Sequence, residues 1–376
     1  MAELCAKKMS EAGIEAEVVT PPDDLVLKQN YGLGESNPHH YMQSALGYLR
    51  GNGPEMVWNA HIDTVPVEDE ENWRCGPFSG DVIDGYIYGR GAGDDKGSVC
   101  AQVMAAIALK RAGVKLKGTL IVNPVGDEEA CSMRGTEWLR DAGYYDPDIL
   151  VVGEQTDNQI AIAERAFHFY TIIFHGKACH GAMPWNGNNA IEKAARFINL
   201  VDKELKPALE KRTHPYLPHS TVNIGQINGG IKVNICPELV QLKVDRRTVP
   251  GETLETCTAE LVELLERVKA DDDFEYEIIC DFDSGASTNT KPDDPLVEEM
   301  LRITKDVRGE DGTLTGYRQG SDARLFAHLG IPIVIYGPSD PSVGHSPNER
   351  VSIKQLLEAT KVYALTAMRV LGTEKD

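Results

Sequence analysis

The stretch "GTLIVNPVGDEEACSMRGTEWLRDAG" (118–143) joins a strand signal to a cluster of charge. Its run 120–125 is too apolar to keep a wet face and reads as a strand buried on both sides. Asp127, Glu128 and Glu129 follow at once, and "GTEWLRDAG" then reads as a helix. A buried strand that hands carboxylates to the loop before a helix is one βα unit of a parallel sheet, in which ligands bind beyond the carboxyl ends of the strands. Three adjacent like charges are tolerable there if cations neutralise them.

The same grammar extends outward. "MVWNAHI" (56–62) is followed, after a Gly/Pro-rich stretch, by a helix expected over 96–111, and "DILVVGE" (148–154) closes the series. "IPIVIYG" (331–337) has the same character far down the chain. Between them the pattern changes. "AFHFYTIIFHGKA", "HSTVNIGQINGG", "ELVQLKVDRRTV" and "FEYEIICDF" read as strands, and "NNAIEKAARFINLVDKEL" and "GETLETCTAELVELLERVKA" as amphipathic helices. Their order β-α-β-β-α-β is that of a ferredoxin-like unit. The expected fold class is therefore α/β, a mostly parallel central sheet in a discontinuous domain (1–164 and 286–376), interrupted by an inserted ferredoxin-like α+β domain (165–285). A chain of 376 residues with 41% hydrophobic content is long enough for both.

Lys and Arg total 38 against 58 Asp and Glu, a formal charge of −20. Such a surface repels nucleic acid and anionic lipid, so neither is an expected partner. The N-terminus lacks a basic segment followed by an apolar one, no apolar run approaches a membrane span, and a soluble cytoplasmic protein is expected. The eight cysteines have no CxxC pairing, which fits free, mostly structural thiols better than a disulfide frame or a thiolate zinc site.

Candidate ligands collect at the strand ends. His61 and Asp63 end the first apolar run, Glu128 and Glu129 follow the second, Glu154 ends the third, and His345 lies in the loop after the late strand. Asp94, in "GRGAGDDKGS", opens the helix after a Gly-rich loop. Imidazoles and carboxylates without a thiolate suit a pair of zinc or similar divalent ions. In an extended segment residues i and i+2 point the same way, so Asp63 can reach the ring of His61 and fix its tautomer. Glu128 and Glu129, being adjacent, point in different directions; one can bind metal while the other acts as a general base.

"NAHIDTVPV", "YGRGAGDDKGS", "GDEEACSMRGTEWL", "VVGEQTD", "HGKACHGAMPWNGNNAI", "VNICPELVQLKVDRR", "QGSDARLF" and "GHSPNERVSI" resemble, in order from about 56 to 352, the motifs of the M20 metallopeptidases, the family of acetylornithine deacetylase, succinyl-diaminopimelate desuccinylase, aminoacylase and carboxypeptidase G2. The resemblance implies that Asp94 bridges two zinc ions, for which cobalt or manganese can substitute. His61 and Glu154 complete one site, Glu129 and His345 the other. It makes Asp63 the residue that orients His61, and Glu128 the base. His180 matches a histidine that stabilises the oxyanion from the partner subunit of a homodimer, and Asn234 and Arg247 match positions that grip the substrate carboxylate. The resemblance also implies a cis peptide bond between Asp94 and Asp95, and more chain ahead of Met1 than is present here.

The plainer alternatives are these. A lone His-x-Asp at a strand end is usually a surface turn, and paired glutamates in a loop are usually solvated. Arg324 in "SDARLF" is either a salt-bridge residue at a helix start or a substrate contact. His39, His40, His168, His175, His214 and His219 lack a matching context and are expected in surface or core roles. "GRGAGD" fails the G-x-G-x-x-G dinucleotide pattern, because Asp94 takes the place of the third glycine. The expected activity is a metal-dependent hydrolysis of amide bonds: removal of an N-acyl group from a small amino-acid-like molecule with a free carboxylate. A dipeptidase or carboxypeptidase is the alternative within the family, and a non-catalytic metal-binding homologue is disfavoured by the presence of Glu128.

Overall fold

The computed structural model describes residues 1–23, 25, 42–67, 70–272 and 274–374; His39 and His40 lie outside them. The chain divides into two compact units, one built from residues 1–163, 289–317 and 321–376, the other from 164–288 with 318–320.

The first unit is organised on a nine-stranded sheet whose order begins Glu15–Val19, Ser44–Leu49, Thr119–Val125, Glu55–His61, Ile149–Val152, Ile333–Ile335, Ile160–Glu164. The four strands from Thr119–Val125 to Ile333–Ile335 run parallel, with His61 opposite Val125, Asn59 opposite Val152 and Ile335 opposite Val152. The outer strands pair antiparallel. The central strands are continuous apolar runs because both their faces are covered. On one face Trp58 packs edge-on against Tyr363 at 5.1 Å, in the layer of helices Lys96–Arg111 and Ile353–Val370. On the other, Val57, Ile121, Leu150 and Val152 pack with Leu139 and Phe326.

Two outer strands carry weak sequence signals. Ile160–Glu164 is wholly buried yet contains two alanines in five residues, and Ser44–Leu49 contains a glycine. A side chain at Gly47 would come within 2.3 Å of the Met9 sulfur, so this strand is thinned to let the helix Ala2–Glu11 lie on it. No helix among the described residues is long and apolar enough to cross a membrane.

The second unit has a four-stranded antiparallel sheet in the order Thr221–Gly229, Leu239–Arg247, Phe167–His175, Glu275–Asp283, with helices Ala190–Leu200 and Leu254–Asp271. This is the strand order of a ferredoxin-like unit. Tyr170, Ile172 and Phe174, alternating along the central strand, pack with Phe197, Leu261 and Leu265 of the helices, as a sheet with one core face requires. Asn189 and Thr253 accept the first backbone N–H bonds of the two helices, satisfying donors that would otherwise be orphaned. His168 pairs with Asp283 at 2.9 Å and His175 with Glu277 at 2.7 Å.

Candidate metal centre

Parallel pairing brings three strand ends to one edge of the sheet in the first unit. His61 is the last residue of its strand, residues 126–129 leave the neighbouring strand, and Glu154 follows Ile149–Val152 on the other side. Gly153 permits a close approach: a Cβ there would lie 2.6 Å from that of Ser98 and 2.8 Å from that of Ala60. The strand end thereby abuts the start of helix Lys96–Arg111, just after Asp94 and Asp95.

The side chains converge. One oxygen of Asp94 lies 2.9 Å from Nε2 of His61 and the other 3.1 Å from Nε2 of His345. His345 Nε2 is also 3.0 Å from Glu129, and ligand atoms of His61, Asp94 and Glu129 all lie within 4.8 Å of one another. Burial opposes ionisation of Asp94, but the flanking imidazoles outweigh it and hold the carboxyl below its usual range. The Asp94 and Glu129 carboxylates push His345 up to about 10. Burial opposes charge on His61, yet Asp63 and Asp94 raise it well above the ordinary imidazole value. Glu154 accepts a hydrogen bond from the Tyr317 hydroxyl at 2.8 Å and is raised well above the usual carboxyl range, by burial first and then by neighbouring carboxylates. The peptide between Asp94 and Asp95 is cis.

Asp63 does more than the His-x-Asp spacing suggests. The nearer partner of His61 Nδ1 is the Asp63 main-chain carbonyl at 3.1 Å, its carboxylate standing at 3.6 Å. That carboxylate accepts the backbone N–H groups of Glu128 and Glu129, at 3.3 and 3.1 Å. Asp63 thus ties the end of one strand to the acidic turn after the next.

The three consecutive carboxylates have three separate fates. Asp127 turns inward to a buried Arg134, accepting from its Nε at 2.9 Å and its backbone N–H at 2.8 Å; burial still lifts its carboxyl to about 6 against the pull of Arg134. Glu129 meets His345. Glu128 is raised well above its usual range by burial and has the Arg324 guanidinium 3.8 Å away. Arg324 is itself buried and donates to Ser321, Cys131 and Ser132. Asp127, Cys131, Ser132 and His345 all have positive φ, from 57° to 79°. Such non-glycine outliers cost of order 1–3 kcal/mol each and gather at functional sites.

Glu349, inside the stretch "GHSPNERVSI" but not among the expected site residues, holds the bridging loop. Strand Arg350–Ser352 pairs with Tyr86–Tyr88, Arg350 opposite Tyr88, so the residue before the one falls beside the residues after the other. One oxygen of the buried Glu349 accepts the backbone N–H of both Gly93 and Asp94 at 2.9 Å, and the other pairs with Arg90 at 2.6 Å. Gly93 must be small here, since a Cβ would come within 2.5 Å of the Ser339 hydroxyl. Removing one partner of a buried pair costs ~3–5 kcal/mol. Arg90→Met is expected to lower unfolding free energy by about that much, read by denaturant titration, and to weaken metal uptake; unchanged stability would mean that the pair is dispensable.

The second unit holds the remaining candidates. Strands Cys179–His180 and Ile235–Cys236 form a two-stranded ribbon, and Gly181 N–H donates to the Asn234 carbonyl at 2.9 Å, so His180 and Asn234 are neighbours. Ala182 N–H donates to Nδ1 of the exposed His180 at 3.0 Å. An N–H aimed at Nδ1 makes that nitrogen the acceptor and leaves the proton of the neutral ring on Nε2. Arg247 lies 4.5 Å over the ring of Phe167 and pairs with Asp245 at 2.9 Å.

The donor set in the first unit consists of imidazole nitrogens and carboxylate oxygens, the ligands zinc-type ions take. Buried carboxylates that raise one another are costly unless a cation shares their space, so these residues fit a metal group.

Comparison with known proteins gives the family. The model of peptidase family M20/M25/M40 matches residues 57–369. A protein of Staphylococcus epidermidis described as a probable succinyl-diaminopimelate desuccinylase is 28% identical over 384 residues, covering 95% of this chain and 93% of the relative. Among solved structures, aminopeptidase PepT from Bacillus cereus superposes with a TM-score of 0.75 at 21% identity, covering 97% of this chain and 91% of its own. A dinuclear metal-binding peptidase of the M20 family from Bacillus subtilis gives 0.68 at 17%, with 98% and 91% covered. At these identities the structural likenesses bear on the fold alone.

Proposed function

Because the chain belongs to peptidase family M20/M25/M40, hydrolases of amide bonds, we propose that it is a di-zinc enzyme removing an N-acyl group from a small amino-acid-like substrate with a free carboxylate. The observation that carries this reading is the pair of imidazoles, His61 and His345, set against the two oxygens of one carboxylate, Asp94. His61 and Glu154 would hold one ion, Glu129 and His345 the other, and Asp94 both; cobalt or manganese would substitute. When bound, such a pair supplies a nucleophilic water at neutral pH and polarises the substrate carbonyl.

The chain's own residues do the rest. Glu128 takes the proton of the attacking water and returns it to the leaving amine. Burial raises its carboxyl, the direction wanted in a group that takes a proton and gives it back. Asp63 and Glu349 hold the backbone that carries Glu128, Glu129 and Asp94. His180 donates from Nε2 to the developing oxyanion, a role supported by the Ala182 N–H on Nδ1. Asn234 and Arg247 grip the substrate carboxylate, for which a planar guanidinium is suited. The likeness to a desuccinylase along nearly its whole length favours the acylase reading. Membership of a peptidase family makes cleavage of short peptides the second reading.

Zinc-, cobalt- or manganese-loaded protein assayed on N-succinyl and N-acetyl amino acids beside di- and tripeptides tests this. Turnover of the acyl compounds, lost when their carboxylate is esterified, is expected. Turnover of peptides alone would move the assignment to the second reading.

The same reading makes the protein a homodimer in which His180 serves its partner's metal centre. Strand Thr221–Gly229 is last in its sheet order, and Ile227, Ile231 and Val233 at its end stand exposed, which supports pairing of two such edges about a two-fold axis. Mixing inactive His180→Ala with inactive Glu128→Gln protomers under exchange conditions is expected to restore activity, because some heterodimers contain one intact composite site. Heterodimers that form and stay inactive would place His180 in its own chain's chemistry or in none.

A further inference from the structure

The ribbon that carries His180 brings two thiols together. Cys179 and Cys236 are direct partners across it. Cross-strand partners have Cα atoms about 4.5–5.5 Å apart, inside the range of about 4.4–6.8 Å that a disulfide spans. Both sulfurs also border one small space. A Cβ at Gly187 would lie 2.5 Å from Sγ of Cys179 and 3.0 Å from Sγ of Cys236, so the glycine leaves that space free for the sulfurs to move. The two differ in exposure: Cys179 is half-buried and Cys236 buried. Of two neighbouring thiols, the more open one meets a reagent first and the sheltered one resolves the adduct.

We infer that Cys179 and Cys236 form a redox-active dithiol, an oxidation site in which a small disulfide of the glutathione class is the oxidant. The Cys179 thiolate attacks one sulfur of the oxidant, making a mixed disulfide and expelling one thiolate. The Cys236 thiolate then attacks the Cys179 sulfur, forming the Cys179–Cys236 bond and expelling the second. The two protons lost by the protein thiols end on the two released thiols, and the protein gives up two electrons to the oxidant. The product staples the short ribbon between residues 179 and 236, next to His180 and Asn234, and is reopened by excess thiol.

The test uses the whole protein with oxidised glutathione as the probe, followed by denaturation, alkylation and peptide mapping without reductant. Alkylatable thiols are expected to fall from the eight free cysteines to six. Tryptic peptides 178–193 and 233–243 should appear joined, and dithiothreitol should restore both. Cys236→Ser should stop at a glutathione adduct on Cys179. On unaltered protein, pretreatment with phenylarsine oxide, which bridges neighbouring thiols, should protect both cysteines from alkylation, a readout that stands even if the variant does not fold. A lasting glutathione adduct on Cys179 of the unaltered protein, or full alkylation of both cysteines after oxidation, would overturn the assignment. The readout is independent of hydrolase activity, so its failure leaves the proposed function untouched.

Discussion

Glu128→Gln is expected to remove most turnover, by roughly 10²- to 10⁴-fold as for other lost general bases, while the protein keeps its full metal content. Glutamine preserves the size of the side chain and removes its ability to accept a proton. It also replaces the carboxyl group facing Arg324 at 3.8 Å, so a modest change in stability accompanies the loss. Glu129→Gln makes the contrast: Glu129 meets His345 at 3.0 Å, and its variant should lose affinity for one ion. Metal content measured beside kcat separates the two roles. Equal metal loss in both variants would mean that the roles of base and ligand are misassigned.

Asp94→Ala is expected to have the other large effect, because each of its oxygens faces a different imidazole. Truncation removes the one group common to His61 and His345 and should abolish tight binding of both ions together with activity. Circular dichroism should stay native, since the buried Glu349 still holds the 93–94 backbone through its N–H groups. A variant that keeps one ion as tightly as the unaltered protein would confine Asp94 to a single site.

The difference between what the sequence conveys and what it conceals follows from the range of each interaction. The central strands declare themselves because both faces are buried, and helix Lys96–Arg111 lies at the expected residues because its periodicity is local. The second unit is equally legible: its alternating strands and capped helices each write their own signal. Ser44–Leu49 and Ile160–Glu164 do not, because alanine, glycine and serine become strand residues only when neighbours leave no room for more. The site follows the same division. Strand ends and motifs point to His61, Asp94, Glu128, Glu129, Glu154 and His345 as candidates, and the structure brings His61, Asp94, Glu129 and His345 together. The separate fate of Asp127 depends on Arg134, and the support of Asp94 depends on Glu349, some 255 residues away in the chain. Such partners are set by the pairing of Arg350 with Tyr88 across a small sheet, which no local pattern records. Asp63 was legible as a partner of His61 but not as the acceptor that fixes the acidic turn, because backbone donors carry no side-chain signature.

The central claim is that carboxylates and imidazoles gathered beyond the parallel strand ends hold two cations through a shared Asp94. Its most direct measurement is metal stoichiometry by elemental analysis, on protein saturated with zinc and freed of excess. The account predicts two ions per chain, as in two-metal hydrolases, both lost in Asp94→Ala. Saturation at a single ion per fully folded chain would contradict it.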